Sequence, residues 1–139
     1  MKFAYSRFPC NPTEPFPNQH SILRPIISIA IKYKDQRIRI NGLVDSGADW
    51  CLFPVSIGEQ LKIPVDQGKK MPFKGATATG MAYFHEVTLE IGGWEHNCIV
   101  GFSSDFDAMG GILGQYGFFD HYEVKFNLKN EIIEINKST

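Results

Sequence analysis

One short stretch of the sequence combines residue types that can do acid–base chemistry, namely residues 43–48, which read Leu-Val-Asp-Ser-Gly-Ala. An apolar run that ends in a carboxylate is typical of a buried strand that delivers an acid to the loop at its tip, where burial can tune the pKa of the acid, here Asp45. Ser46 can donate a hydroxyl hydrogen bond that fixes the carboxylate or the loop. Gly47 lets backbone pass close by, or lets φ turn positive. The alternative is an ordinary turn after a strand, because Asp, Ser and Gly all favour turns.

Other reactive side chains in the sequence are weaker candidates. The four histidines have no zinc-ligand spacing, and they are His20, His85, His96 and His121. No Gly-x-Ser-x-Gly motif surrounds Ser46, which disfavours a serine hydrolase. Cys51 follows the motif in an apolar segment and is expected to be a core thiol. The sequence therefore predicts neither a metal site nor a cofactor.

The motif needs strands to position it, and apolar alternation predicts strands on both sides of it. Residues 24–33 and 37–45 form a predicted hairpin whose second strand ends at Asp45. Residues 71–91 predict a long hairpin with the small residues 75–80 at or near its tip. Gly92 and Gly93 predict a tight turn into a strand over residues 94–102. A second apolar run, residues 112–114, ends in glycine, and residues 122–128 and 131–136 predict a final hairpin.

Two short helices and a separate N-terminal segment complete the predicted elements. The helices are expected over residues 55–61, after Pro54, and over residues 115–121. Residues 1–23 contain four prolines, which favour an extended arm, either loose or packed along its own domain or a partner. The sequence thus predicts an all-β (mainly β) domain over residues 24–139, a closed or partly closed barrel or sandwich.

The composition is that of a globular protein without an unusual charge. The 139 residues suffice for one domain with its own core, and the chain is 43% hydrophobic and 21% charged. The net charge of −1 predicts no attraction to nucleic acid or to anionic membrane. Three cysteines without metal-type spacing, and no long apolar segment at the start, favour reduced thiols in the cytoplasm. No apolar run has the length that spans a bilayer.

Taken in order, these features resemble the retropepsin-like aspartic proteases, the single-domain family that includes the retroviral proteases. The resemblance rests on the Asp-Ser-Gly-Ala motif after an apolar run, the small-residue hairpin tip, and Ile112-Leu113-Gly114 before a predicted short helix, and it spans roughly residues 24–136. Gly-Phe-Phe-Asp at residues 117–120 is similar to small bacterial and archaeal members of the family. The resemblance implies a retropepsin-like acid protease barrel that hydrolyses peptide bonds without a cofactor.

Aspartic proteolysis uses two carboxylates around one water, as in the known members of this class. The chain has only one Asp-Ser/Thr-Gly motif, since Asp66-Gln67-Gly68 lacks the hydroxyl residue. The resemblance therefore implies a homodimer in which Asp45 of two copies forms the pair. At about 3 Å and an effective dielectric constant near 20, two negative charges repel by roughly 5 kcal/mol, so the pair holds one proton. One carboxylate is then the general base for water and the other is the general acid.

The resemblance implies roles for further residues around Asp45. The residues that support the acid are Ser46, Gly47 and Ala48, and those that contact the substrate are Asp49, Ile112 and Gly114. A flap closes over the substrate, and it is formed by Gly75, Ala76, Thr77, Ala78, Thr79 and Gly80. The family often pairs this Asp with an arginine after the second glycine, where this chain has Gln115.

A buried Asp49 would then need another donor, for which Arg7, Arg24, Arg37 and Arg39 are candidates; otherwise Asp49 is an ordinary polar loop residue. The alternative function is a noncatalytic peptide-binding or dimerisation module on the same fold.

Overall fold

The computed structural model describes residues 1–75, 79–105 and 110–139. The described strands and helices, in chain order, are β1 Lys2–Ala4, β2 Ser6–Pro9, β3 Ser21–Arg24, β4 Ile26–Tyr33, β5 Gln36–Val44, β6 Leu52–Pro54, α1 Val55–Gln60, a 3-10 helix Val65–Gln67, β7 Lys69–Lys74, β8 Thr79–Ile91, β9 Trp94–Ser103, β10 Gly111–Leu113, β11 Tyr122–Asn127 and β12 Ile132–Lys137. Strands make up 58% and helices 7% of the structure, which confirms the all-β fold class.

Six strands close into a ring through backbone hydrogen bonds. The order β4-β5-β10-β6-β9-β8 returns to β4, because β4 also pairs with β8 over residues 30–32. β7 pairs with β8 and forms the last strand of the sheet beyond this ring. A closed ring leaves few unpaired strand edges. Of the predicted architectures, the closed barrel is the one that forms.

The predicted hairpins within the ring and the predicted hairpin of β7 with β8 are confirmed. In β4–β5, Tyr33 lies opposite Gln36, and in β8–β9, Ile91 lies opposite Trp94. Gly92 and Gly93 connect β8 to β9 with φ angles of +57° and +91°, the left-handed values that a two-residue turn of this kind requires. β7 and β8 pair from Lys69 opposite Phe84 to Lys74 opposite Thr79.

The short strand β10 connects parts of the chain that are far apart in sequence. It runs parallel to β5, with Leu113 opposite Val44, and antiparallel to β6, with Ile112 opposite Leu52. Branched apolar residues suit a strand with neighbours on both sides. Because β4 flanks the other side of β5, the end of β5 at Val44 is held from both sides.

Two apolar cores stabilise these strands. The larger fills the ring, and its fully buried members include Ile29, Ile31, Phe53, Phe102 and Leu113. The smaller consists of Leu52, Phe73 and Ala82, with Trp50, Phe84 and Ile112 packed against it. Burial of each large apolar side chain contributes about 1.5–3 kcal/mol. The smaller core fixes the β7–β8 hairpin onto β6 and β10.

The N-terminal segment contains three strands, although the sequence predicted an extended arm. β1 pairs with β12 in a three-stranded sheet of order β1-β12-β11, so the first residues pack along their own domain. β2 and β3 pair with each other, and an ion pair from Arg7 to Glu131 ties this hairpin to the β11–β12 turn. The prolines lie at the end of β2 and in the exposed connection 10–20, where the sheet needs no N–H donor.

The predicted helix over residues 115–121 is wrong, whereas the helix after Pro54 forms as α1. Residues 115–121 make successive turns, because Gly117 adopts a φ of +115° that a right-handed helix cannot contain. The amide of Gly117 donates instead to the Asp120 carboxylate at 2.9 Å. The second helical element is the 3-10 helix Val65–Gln67, which the sequence analysis did not predict. No helix in the described parts of the chain is both long and apolar enough to cross a membrane.

Candidate active site

Asp45 lies immediately after β5, at the point where that strand is hydrogen-bonded to a neighbour on each side. Its amide donates to the carbonyl of Leu113 in β10 at 3.0 Å, and the preceding Val44 amide donates to the carbonyl of Pro25 at 2.8 Å. The position of the acid is thus set by backbone bonds from both sides. In the single chain its side chain is half-buried.

The loop turns sharply around the Asp45 carboxylate. The amide of Gly47 donates to Oδ1 of Asp45 at 2.9 Å, and the amide of Ala48 donates to the Asp45 carbonyl at 3.2 Å. A Cβ added at Gly47 would lie 3.2 Å from that same Oδ1, and the φ of Gly47 is not positive. Of the two uses of glycine that the sequence suggested, the close approach is therefore the one found here.

Gln115 braces the loop from behind. Its backbone amide donates to the carbonyl of Ala48 at 2.8 Å, and its side-chain Nε2 donates to the carbonyl of Ser46 at 2.5 Å. The contact to Ser46 therefore uses its backbone, whereas the sequence suggested a role for its hydroxyl. Two bonds from one residue hold both sides of the turn that carries Asp45.

Asp49 is exposed, so it does not need the buried partner that the sequence considered. Its carbonyl accepts a hydrogen bond from the Tyr116 amide at 2.9 Å. Within the described residues, the arginine ion pairs are Arg7 to Glu131 and Arg37 to Glu90, and none involves Asp49. Gln115, in the position where the family often has arginine, bonds to the loop backbone and not to Asp49.

A cleft of about 100 Å³ separates the Asp45 loop from β7. Ten residues line it, and they are Asp45, Gly47, Ala48, Asp49, Trp50, Leu52, Phe73, Lys74, Gly75 and Ile112. Six of them were predicted as site residues, which leaves Trp50, Leu52, Phe73 and Lys74 as additions. The alternation of Trp50 and Leu52 after Asp49 was a usable signal, but apolar residues in that segment were assigned to the core.

Several predicted site residues lie elsewhere. Ser46, Thr79, Gly80 and Gly114 are not among the residues that line the cleft. Gly114 lies behind the loop, where an added Cβ would come within 2.7 Å of the Ala48 carbonyl oxygen, so its place reflects packing. Ala76, Thr77 and Ala78 of the predicted flap are outside the described residues.

The β7–β8 hairpin is fastened to the loop after β9, which the sequence did not reveal. The carboxylate of Asp105 accepts from the Met81 amide at 2.8 Å, while the buried Ser103 hydroxyl donates to the Met81 carbonyl at 2.6 Å. The Asp105 amide donates to the Ser103 oxygen at 3.0 Å. A Cβ on Gly80 would collide with the Asp105 side chain, so glycine permits this approach. We call Ser103 and Asp105 the clamp.

The cysteine and histidine side chains near the site are buried or engaged in contacts that stabilise the fold. Burial raises the pKa of the Cys51 thiol to about 12, so Cys51 stays protonated and acts as a core thiol. His96 is hydrogen-bonded to the Tyr122 hydroxyl and to the Gly117 carbonyl, and its ring stacks on His121 with centroids 4.0 Å apart. The described residues contain no group of three side chains suited to a metal ion.

Comparison with known proteins gives a distant likeness in structure. No protein-family model matches the chain, and no curated protein matches its sequence. Among solved structures, the chain is similar to the retroviral protease-like domain of Ddi1 from Leishmania major, with a TM-score of 0.49 and 15% identity over 80% of this chain and 88% of that one. That identity is too low to transfer any residue role from that protein to this one.

Proposed function

We propose that this chain is one subunit of a homodimeric aspartic endopeptidase, and that Asp45 is its catalytic acid. The observation that carries the proposal is the position of Asp45, which is fixed at the end of β5 and lines the cleft below β7. The Gly47 amide bond to Oδ1 orients the carboxylate. An acid held by backbone bonds at the floor of a cleft has the preorganisation that catalysis requires.

The chemistry follows from bringing two such carboxylates together across a two-fold axis. The unprotonated Asp45 takes a proton from a water between the two side chains, and the water oxygen attacks the peptide carbonyl carbon. The protonated Asp45 of the second copy gives its proton to the carbonyl oxygen. The first Asp45, now protonated, gives its proton to the leaving nitrogen as the C–N bond breaks, and a hydroxyl of the tetrahedral species returns its proton to the second Asp45. The half-exposed position of Asp45 in the single chain is compatible with such a second copy.

The cleft suits a peptide with apolar residues around the bond that is cut. Its lining combines the apolar side chains of Leu52, Phe73 and Ile112 with the charged side chains of Asp49 and Lys74. Apolar walls with a few polar groups are typical of sites that bind organic ligands. The exposed Asp49, beside Asp45, remains the proposed contact for the substrate backbone.

A noncatalytic peptide-binding module on the same fold is the second candidate. It is favoured by a cavity of about 610 Å³ next to the cleft, which is larger than the cleft itself. Both candidates bind peptides, but only the first requires the carboxylate of Asp45. Turnover therefore separates them.

The test is the loss of cleavage on Asp45→Asn, measured on an unfolded protein below neutral pH. Asn has nearly the shape of the protonated acid but cannot exchange its proton, so we expect a folded, inactive protein. Asp66→Asn is the matched control, because Asp66 also precedes a polar residue and glycine but is exposed in the 3-10 helix. Full activity of Asp45→Asn would refute the proposal, and binding without any wild-type turnover would favour the second candidate.

Mixing subunits tests the shared pair directly. Wild type refolded with an equal amount of Asp45→Asn should give about a quarter fully wild-type dimers, so activity per wild-type chain should fall to about half. A pair within one chain, for example Asp45 with Asp49, predicts no fall. Subunit exchange is followed in parallel by the mass of mixed dimers formed with isotope-labelled Asp45→Asn chains, so an unchanged activity with proven exchange would exclude the two-subunit pair.

A further inference from the structure

The cavity of about 610 Å³ next to the cleft forms an open groove, which we call the aromatic groove. Its walls include Trp50, Phe84, Ile99 and Tyr116. Ile99 and Tyr116 are each 61% exposed, although both are large apolar side chains. Contiguous exposed apolar surface in a concave site marks a place where another molecule binds.

The wall of the aromatic groove is already formed in the free chain. Trp50 lies between Tyr116, with ring centroids 5.6 Å apart, and Phe84, with centroids 6.2 Å apart and ring planes at 82°. Backbone pairing of Trp50 with Tyr116 fixes the first of these contacts. A preformed aromatic wall binds an apolar side chain without first ordering its own side chains.

The aromatic groove and the cleft are consecutive along the same strand. Trp50 lines both of them. Lys69 and Met71 of β7 border the groove, and Phe73, on the same face of β7, borders the cleft. β7 is the last strand of its sheet. From Lys69 to Gly75 an extended strand covers about 20 Å, so an extended peptide can follow β7 from Asp45 into the groove.

The charges at the rim indicate what the groove selects. Lys69, Asp120 and His121 line the groove together with its apolar side chains. A rim with both signs of charge attracts no single charge, while the apolar centre excludes charged side chains. An uncharged aromatic or branched apolar side chain, flanked by polar residues, fits this distribution.

We propose that the aromatic groove is a remote binding site for the polypeptide substrate, and that it takes one aromatic or branched apolar side chain about six residues away from the bond that is cut. The inference rests on the proposed function, because it assigns the groove to the substrate of Asp45. It makes the length of the substrate, and not only the residues around the cut bond, a determinant of selection.

The experiment uses five peptides with the same residues around one cleavable bond. One is short, and the four long peptides carry either Trp or Ser six residues from the bond, on its N-terminal or its C-terminal side. Binding of the long peptides is measured by fluorescence anisotropy with the Asp45→Asn protein, which prevents turnover. We expect the Trp peptide to bind about tenfold more tightly than the Ser peptide.

Ile99→Ser in the same background should abolish that preference, and Tyr116→Ser should reduce it. Leu128→Ser is the matched control, because Leu128 is 59% exposed in the β11–β12 turn, away from the groove, and should keep the preference. Equal binding of the Trp and Ser peptides on both sides of the bond, or a preference that survives Ile99→Ser in folded protein, overturns the inference.

Two further measurements distinguish a failure of the groove from a failure of the proposed function. Cleavage of the short peptide, which does not reach the groove, is measured with wild type and with the control Leu128→Ser, and it tests the proposed function independently of the groove. If no peptide is cut but the Trp preference persists and depends on Ile99, the proposed function fails while the groove is a peptide site. If Ile99→Ser and Phe16→Ser both lower the oligomer mass without affecting peptide binding, the exposed Phe16 of a second copy fills the groove and the substrate assignment is wrong.

Discussion

At the scale of single residues, Gln115 shows how the loop that carries Asp45 can be positioned by a residue other than the arginine that retropepsin-like proteases often have at this place. Its side chain donates to the Ser46 carbonyl and its amide donates to the Ala48 carbonyl. Both acceptors belong to the turn that carries Asp45. Gln115 therefore influences the orientation of the Asp45 carboxylate, and it can do so without contacting a substrate.

Gln115→Ala should lower kcat by about fivefold, which corresponds to one hydrogen bond of about 1 kcal/mol. KM and the melting temperature should change little, because Gln115 is only partly buried and its backbone bond remains. Gln115→Arg, which restores a donor, should recover much of the rate. Gln67→Ala, in the 3-10 helix, is the control. A normal kcat for Gln115→Ala would show that its side chain does not position Asp45.

The residues of the site were predictable only where their types carry the chemistry. Asp45, Ser46 and Gly47 stand together in the sequence, so their combination could be recognised. Trp50 has only a weak signal, its alternation with Leu52, because an aromatic residue in an apolar segment is equally suited to a core. Asp105 was also missed, since its partner Met81 lies 24 residues away and only the folded hairpin brings the two together.

At the scale of elements, the clamp determines where the β7–β8 hairpin stands above the cleft. Asp105 and Ser103 hold both the amide and the carbonyl of Met81, near the start of β8. The hairpin is also fixed by the buried Phe73 in the smaller core. These contacts fix the part of the hairpin next to its tip, where Phe73, Lys74 and Gly75 line the cleft.

Gly80→Ala should lower kcat/KM by about tenfold, because the added Cβ collides with the Asp105 side chain and displaces β8. Asp105→Gly removes the colliding group, so the double variant should be more active than Gly80→Ala alone. A double-mutant cycle on kcat/KM should thus give a coupling of about 1 kcal/mol or more. Strict additivity of the two effects would show that Gly80 and Asp105 do not act through this contact.

Elements were predicted well where local residues determine them, and poorly where a single backbone angle decides. Gly92 and Gly93 specify their turn by themselves, and the alternation of β8 specifies its faces. Residues 115–121 looked helical, but Gly117 takes a positive φ and its amide turns to Asp120. Glycine is compatible with both outcomes, so only the surrounding contacts decide.

At the scale of the whole molecule, His96 links stability to pH. Burial lowers the pKa of His96 below its ordinary value of 6.5, and the neighbouring His121 lowers it further. The hydrogen bond to the Gly117 carbonyl and the charge of Asp120 act in the opposite direction but are smaller in sum. The folded chain therefore binds fewer protons at this site than the unfolded chain does. Its contribution to stability is complete above about pH 6.5 and declines as the pH falls through that value toward the lower folded pKa.

The melting temperature should therefore fall between pH 7 and pH 5 more steeply in wild type than in His96→Gln. Glutamine does not titrate and still offers a donor for the Gly117 carbonyl. His20→Gln is the control, because His20 lies exposed in the connection 10–20 and should leave the slope unchanged. Parallel melting curves for wild type and His96→Gln would contradict the link.

The insertion of β10 between β5 and β6 also has a consequence for the newborn protein. During translation, the motif with Asp45 emerges early, but β10, the strand that pairs with the end of β5, begins only at Gly111. At about 5–20 residues per second, the ribosome needs several seconds to make the chain between Val44 and Gly111. Throughout that interval the Asp45 amide lacks the Leu113 carbonyl, and the turn lacks Gln115. An unfinished chain therefore carries Asp45 without the bonds that orient it in the finished chain, and under the proposed function we expect such a chain to be inactive.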